Sequence, residues 1–277
     1  MTVWYSCAMH RNLDPTSVGI HEPIADELEL GETKIKLTSP RQDLAGLIEL
    51  AKQKQMDQLY RWGREHVDSI QTPHTIYWTL GEGRIDPWEG RATEIKERDE
   101  LLSRIRGRIV LDLGCGIRWL EFEEFLKKYE PSAYVGVDIW APYGYRPYNE
   151  IPDLGIVTPL GDQEGDVLPG ALIKGDMLEA ISRMPDKSCC IALNGVDAFI
   201  LPPSPYRREL EKEMVRVVSD EGIIFGVTLA GGLLSSLAKR EGFQDTYVPV
   251  SAVRPEEERG FNFITRKKAP ESQTSDS

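Results

Sequence analysis

The chain has 277 residues, 40% hydrophobic and 28% charged, with a formal net charge of −12. A chain of that length buries about 70–75% of its unfolded surface and needs no disulfide or metal staples, while its acidic average field repels a long polyanion such as DNA or rRNA. No apolar run approaches the ~18 residues of a membrane span, and the opening MTVWYSCAMHRNLDPT lacks the basic end and apolar stretch of a secretory signal. A cytoplasmic protein is expected, with a small molecule as its partner, no nucleic acid, no membrane, and at most self-association into a homodimer.

Residues 1–90 carry mixed, mostly helical signals and all four histidines, His10, His21, His66 and His74. The acidic stretch from Glu27 to Glu32 reads as loop or a short edge element. A helix is predicted from about Pro40 to Ser69, with Ser39 as N-cap, Pro40 at the first helical position and Asp43 in the first turn. Its apolar positions Leu44, Leu47, Ile48, Met56, Leu59 and Tyr60 repeat every 3.6 residues. The whole segment is expected to form a helical cap carrying part of the substrate site. Within it His74, between Pro73 and the aromatic pair Tyr77-Trp78, is a candidate base.

From residue 91 the pattern changes to alternating helices and strands, the mark of a parallel α/β sheet. A helix with Ile95, Leu101, Leu102 and Ile105 as its stripe is stopped by Gly107. Strands are predicted at RIVLDL, Tyr134 to Asp138, Leu172 to Lys174, Cys189 to Leu193 and Ile223 to Leu229, with two closing strands near 244–250 and 261–267. Helices fall at 119–129, 177–184, 206–218 and 232–241. The connection 140–170 is too long for an ordinary turn and, with Trp140, Tyr143, Tyr145 and Tyr148, reads as an inserted lid-like loop. Residues 269–277 are polar and expected to be disordered. Arg207, Arg208, Lys212 and Arg216, interleaved with Glu209, Glu211 and Glu213, read as a solvated helix face. Cys189 and Cys190 are neighbours in a strand, so their side chains should leave on opposite faces, and no cysteine spacing suggests zinc. The acids Asp162, Glu164 and Asp166 read as exposed loop residues, and no metal is expected.

The chemistry is concentrated at strand ends. Val110-Leu111-Asp112-Leu113-Gly114-Cys115-Gly116 is an apolar strand entering a glycine turn, where the backbone can approach a ligand without an intervening Cβ. About twenty residues on, Tyr134-Val135-Gly136-Val137 ends in Asp138, placed to accept hydrogen bonds from two ribose hydroxyls. Together these two features describe a nucleoside site.

Over about residues 90–267 the chain resembles the class I S-adenosylmethionine-dependent methyltransferases. The first motif of that family matches Asp112, Gly114 and Gly116, the second Asp138, and the third Gly175-Asp176-Met177. The resemblance implies a Rossmann-like seven-stranded mixed sheet whose last strand is antiparallel, with helices on both faces and the N-terminal helical cap added. It implies S-adenosyl-L-methionine as cofactor and S-adenosyl-L-homocysteine as product. Cofactor contacts are implied for Asp112, Gly114, Cys115, Gly116, Asp138, Ile139, Asp176, Met177 and Asn194. Arg118 stands where the family often has a third glycine, so the turn can differ there. A dinucleotide enzyme would need its third glycine at Trp119, and Asp112 would repel its pyrophosphate.

Asn194-Gly195-Val196-Asp197 follows the fourth strand, where acceptor and methyl donor should meet, and Asp197 is the nearest candidate base or substrate anchor. Pro202-Pro203-Ser204-Pro205-Tyr206 resembles the signature of amino-group methyltransferases acting on bases, but it lies eight residues too late and reads instead as a helix start. The expected reaction is methyl transfer to oxygen or nitrogen of a small molecule by in-line displacement. Another adenosylmethionine-using transferase, a lyase, or a non-catalytic adenosylmethionine-binding protein are the alternatives.

Overall fold

A computed structural model describes residues 22–23, 26–65, 92–115, 123, 126–138, 155–160, 168–193, 204–227, 236–237, 239–240, 242–249 and 260–266. In chain order the elements are β1 (Glu22–Pro23), β2 (Glu27–Leu30), β3 (Thr33–Lys36), α1 (Gln42–Glu65) and α2 (Ala92–Leu102) with a 3-10 turn at Ser103–Ile105. There follow β4 (Ile109–Leu113), β5 (Ala133–Asp138), β6 (Gly155–Leu160), β7 (Gly170–Lys174), α3 (Met177–Arg183) and β8 (Cys189–Leu193). The chain closes with α4 (Pro205–Val217), β9 (Ile223–Val227), β10 (Phe243–Pro249) and β11 (Gly260–Arg266).

The main sheet has the order β1-β6-β7-β5-β4-β8-β9-β11-β10. Five strands from β7 to β9 run parallel, and β11 enters antiparallel between β9 and β10. These seven strands are the mixed Rossmann-like sheet expected from sequence. Two short antiparallel strands extend it to nine, because β6 lies inside the long connection 140–170 and pairs with both β7 and β1. That connection therefore contains the sheet's penultimate strand, with β1 outside it. Periodicity missed it because RPYNEIPDLGIVTPLGD is broken by prolines; Pro159 falls beyond the Gly155–Ile156 stretch that β1 covers, where a strand tolerates proline.

Strand alternation sends one set of side chains to each face. On one face Leu111, Leu113, Val135 and Ile191 meet α3 and α4 through Leu178, Leu210 and Met214. On the other, Val110, Tyr134, Leu172 and Phe225 meet Leu102, Ile105 and Leu126. Cys189 goes to the first face and Cys190 to the second, and both are free thiols.

The segment before residue 90 departs from expectation in two places. The acidic stretch is a complete hairpin: ELEL alternates charged-out and leucine-in, Gly31 turns the chain at φ 61°, and Leu28 and Leu30 enter the core of the first face. Helix α1 begins two residues late, so Ser39 is not its cap. Thr38 instead donates its N–H to Arg183 O at 2.8 Å, and Arg41 pairs with Asp43 and with Glu213 at 2.7 Å, which keeps the chain extended up to the helix. Helix α1 lies against α3 and α4, with Leu44 and Ile48 in the same core as the hairpin.

The solvated face expected for α4 holds only in part, at Arg208 and Lys212, which are exposed. Arg207, Glu211 and Glu213 are buried, at 7%, 5% and 2% exposure. Glu213 is held between Arg41 and Arg216, and Arg216 also donates to the carbonyls of Met184 and Ile181, which terminate α3. Charge alternation on a helix reads as solvated only if nothing packs over it. No described helix is long and apolar enough to cross a membrane. Residues 267–277 lie outside the described residues.

Candidate functional site

The chain runs β4, β5, then outward to β7, and returns to β8 on the other side of β4. The order thus reverses beside β4, and in open α/β sheets such a switch point opens a ligand crevice outside the carboxyl ends of the strands. Gly114 and Cys115 follow β4 there, Asp138 ends β5, and Gly175-Asp176 follow β7. The sequence-predicted site residues that are described therefore come together on one edge.

The glycine turn is formed as the motif requires. Gly114 takes φ 80°, a conformation costly for any residue with a Cβ, and its N–H and that of Cys115 both donate to Val137 O, at 2.8 and 3.2 Å. Gly175 N–H donates to Asp138 O at 3.2 Å. The ends of β4, β5 and β7 are thus stitched together by backbone bonds.

Asp112, one residue before the end of β4, is completely buried, and its Oδ2 accepts a 2.7 Å hydrogen bond from the Tyr134 hydroxyl. Its register neighbours on β5 and β8 are Gly136 and Ala192, so the two residues directly beside it are small. A Cβ on Gly136 would meet Cys115 Sγ and Leu172 Cδ2 at 2.9 Å and Tyr134 Cε1 at 3.2 Å. Tyr134 was not recognised from sequence. The available signal was period-two spacing, which puts Tyr134, Gly136 and Asp138 on one face of β5.

This corner is anionic. Burial, then the charge of Asp112, and further out Glu123, push the Tyr134 phenol well above its ordinary range. Burial, then Asp138, then Asp112 do the same to the Cys115 thiol. Glu123 is itself buried, accepting from Leu168 N–H at 2.6 Å with Lys127 Nζ 3.7 Å away. Asp138 is half-buried, and the register sets Lys174 beside it on β7.

Asp176 is built differently. It is the N-cap of α3, its Oδ1 accepting from Leu178 N–H at 2.9 Å and Glu179 N–H at 3.0 Å. Its Oδ2 accepts from the Tyr206 hydroxyl at 2.8 Å. Burial raises its pKa to about 6 against the pull of these donors. The carboxylate expected among the cofactor contacts thus also caps the helix and holds Tyr206, and Met177 at the first helical position is its half-exposed neighbour. Tyr206 is held in turn by the start of α4, where Ser204 caps Arg207 N–H at 3.1 Å and Pro205 opens the helix. Pro205 does begin a helix, as expected.

Gly116, Ile139, Asn194, Asp197 and His74 lie outside the described residues; Asn194 and Asp197 follow the last residue of β8 by one and four positions. Among the described residues, no group of three or more His, Cys, Asp or Glu side chains is arranged to hold a metal ion.

No protein-family model and no curated relative matches the sequence. Solved structures do show similarity. A Burkholderia thailandensis 1,6-didemethyltoxoflavin-N1-methyltransferase with bound substrate and S-adenosylhomocysteine shares 13% identity at TM-score 0.41, over 89% of this chain and 100% of that one. A TehB-like SAM-dependent methyltransferase from Corynebacterium glutamicum shares 18% at TM-score 0.38, over 60% and 87%. A SAM-dependent methyltransferase from Archaeoglobus fulgidus shares 16% at TM-score 0.37, over 63% and 92%. Likeness this distant carries no weight for function. The Rossmann-like architecture stands on the strand order itself.

Proposed function

We propose that the chain is an S-adenosyl-L-methionine-dependent methyltransferase that delivers a methyl group to oxygen or nitrogen of a small-molecule acceptor, with S-adenosyl-L-homocysteine as product. The observation that carries this reading is the charge beside the glycine turn. Buried Asp112 and half-buried Asp138 stand at or near the ends of adjacent strands, and after burial itself their two charges push the Cys115 thiol beside the turn further up. A dinucleotide pyrophosphate would be repelled there, and charges interact strongly where water is displaced. A ligand with a sulfonium and an ammonium is attracted, and the residues present fit it. The net charge of −12 supports a small molecule over a nucleic acid as acceptor.

When bound, adenosylmethionine supplies a methyl group already activated on sulfur. The chain's own residues then have only to bind, align and, for some acceptors, take a proton. Asp138 would hold the ribose hydroxyls by charge-assisted hydrogen bonds worth ~1.5–3 kcal/mol each. Gly114, Cys115 and Gly116 would bring bare backbone against the ligand, and Asp112 would answer the ammonium. Ile139 and Met177 would flank the adenine, with Asp176 setting the course of the backbone at Met177. Asn194, following β8, would face the methionine part. Asp197 or His74 would receive the acceptor's proton, and residues 1–90 with the connection 140–170 would close over the acceptor.

Calorimetry with adenosylmethionine, adenosylhomocysteine and NAD tests the cofactor: tight NAD binding, or no binding of either adenosyl ligand, ends the reading. A metabolite screen with labelled cofactor names the acceptor. With that acceptor, Asp197→Asn should keep cofactor affinity while kcat falls about 10²–10⁴-fold, the usual worth of general acid–base catalysis. If His74→Gln shows that pattern instead, the base is His74. Near wild-type turnover in both variants leaves alignment alone as the source of rate.

A further inference from the structure

We propose that Tyr134 is a positioning residue for ligand binding, holding the Asp112 carboxylate in one orientation beside the glycine turn through its 2.7 Å hydroxyl contact. The inference rests on the adenosylmethionine reading and adds a residue that no motif of the sequence marks.

A fully buried carboxylate is expensive to keep charged, and an apolar residue of similar volume is often the more stable choice. Asp112 is nonetheless placed in a corner cleared for it, with Gly136 and Ala192 as its register neighbours. The clearing is occupied from one side by the Tyr134 ring, whose Cε1 lies 3.2 Å from where a Gly136 Cβ would stand. The ring thus crosses the bare backbone of Gly136 to bring its hydroxyl to Asp112, and Leu172 and Cys115 close the other sides. Burial and then the charge of Asp112 keep the phenol protonated, so toward the carboxylate it is the donor. Its hydrogen is therefore committed to Oδ2, which fixes the rotamer of a charged group two residues before Gly114. A carboxylate held this way keeps further acceptor sites with fixed directions, and a ligand ammonium would use them without first ordering the side chain.

Tyr134→Phe removes one oxygen and keeps the ring over Gly136, so the fold should survive, checked by thermal unfolding. The probes are S-adenosylhomocysteine and 5′-methylthioadenosine, the second having adenosine and sulfur but no amino-acid part, each titrated by calorimetry. Tyr134→Phe should weaken adenosylhomocysteine about tenfold, the worth of one lost charge-assisted hydrogen bond, and leave methylthioadenosine within twofold. Asp112→Asn tests the same contact from the other partner and should lose adenosylhomocysteine selectively. Equal weakening of both ligands by Tyr134→Phe, or no weakening of either, overturns the proposal, as does normal adenosylhomocysteine binding by Asp112→Asn. Asp138→Ala, which should weaken both ligands, reports on the cofactor reading alone; if the wild-type chain binds neither probe, reading and proposal fall together.

Discussion

Two buried aspartates near the carboxyl edge each accept a hydrogen bond from a tyrosine, at 2.7 Å for Tyr134–Asp112 and 2.8 Å for Tyr206–Asp176. The pairs are chemically alike, but their surroundings differ. Asp176 sits where a helix begins, and its other oxygen is taken by two backbone N–H groups of that helix. Asp112 sits in mid-sheet, with a glycine and an alanine for neighbours and a glycine turn two residues on. The first pair solves a problem of folding, the unsatisfied donors of a helix start. The second has no helix to cap, and its charge is the one proposed to serve a ligand. Composition of a pair says little about its role; the backbone next to it says more.

The contrast can be broken most sharply through pH. In the folded chain Asp176 keeps its proton to about pH 6, against an ordinary value of 3.8. Between those values the folded state holds a proton that the unfolded state has shed. Stability should therefore fall as pH rises from about 4 to about 6 and level off above, a loss of about 3 kcal/mol from this group at ~1.4 kcal/mol per unit. Asp176→Asn keeps an N-cap acceptor and removes the titration, so its denaturant midpoint should lose that slope; an unchanged slope would show that Asp176 is not the titrating group. Next in size, Asp138→Ala should lower adenosylhomocysteine affinity about 10- to 100-fold with little change in melting temperature, as befits the ligand side of the comparison. Smallest, Tyr206→Phe should cost about 1–2 kcal/mol of stability, since a buried carboxylate loses one donor, and leave adenosylhomocysteine affinity within twofold. A tenfold loss of affinity in that variant would erase the distinction between the two pairs.

The parallel strands were legible because each is a short apolar run, with glycine or acid at or just after the ends of β4, β5 and β7, and β4, β5, β7 and β8 all lie where the sequence puts them. Gly114 and Asp138 were legible for the same reason. The roles of the tyrosines were not: Tyr134 reads as one more aromatic in a strand, and only the register shows that it lies across Gly136 from Asp112. The hairpin β2–β3 was hidden by its brevity, four residues a strand, although ELEL alternates cleanly. Glu213 misled because burial of a helix face depends on what docks there, and its partner Arg41, just before α1, is 172 residues away in the sequence.

That docking bears on how the chain can be divided. A break near residue 90 looks natural from composition, yet Leu28, Leu30, Leu44 and Ile48 belong to the same core as α3 and α4. A fragment starting at residue 91 would bare the apolar surface of those helices and strip Arg41 from Glu213, leaving a raw greasy face studded with a poorly compensated charge. Such a fragment should collect in inclusion bodies. A workable truncation has to retain the chain from the β2–β3 hairpin onward, which makes the N-terminal segment part of the folding unit.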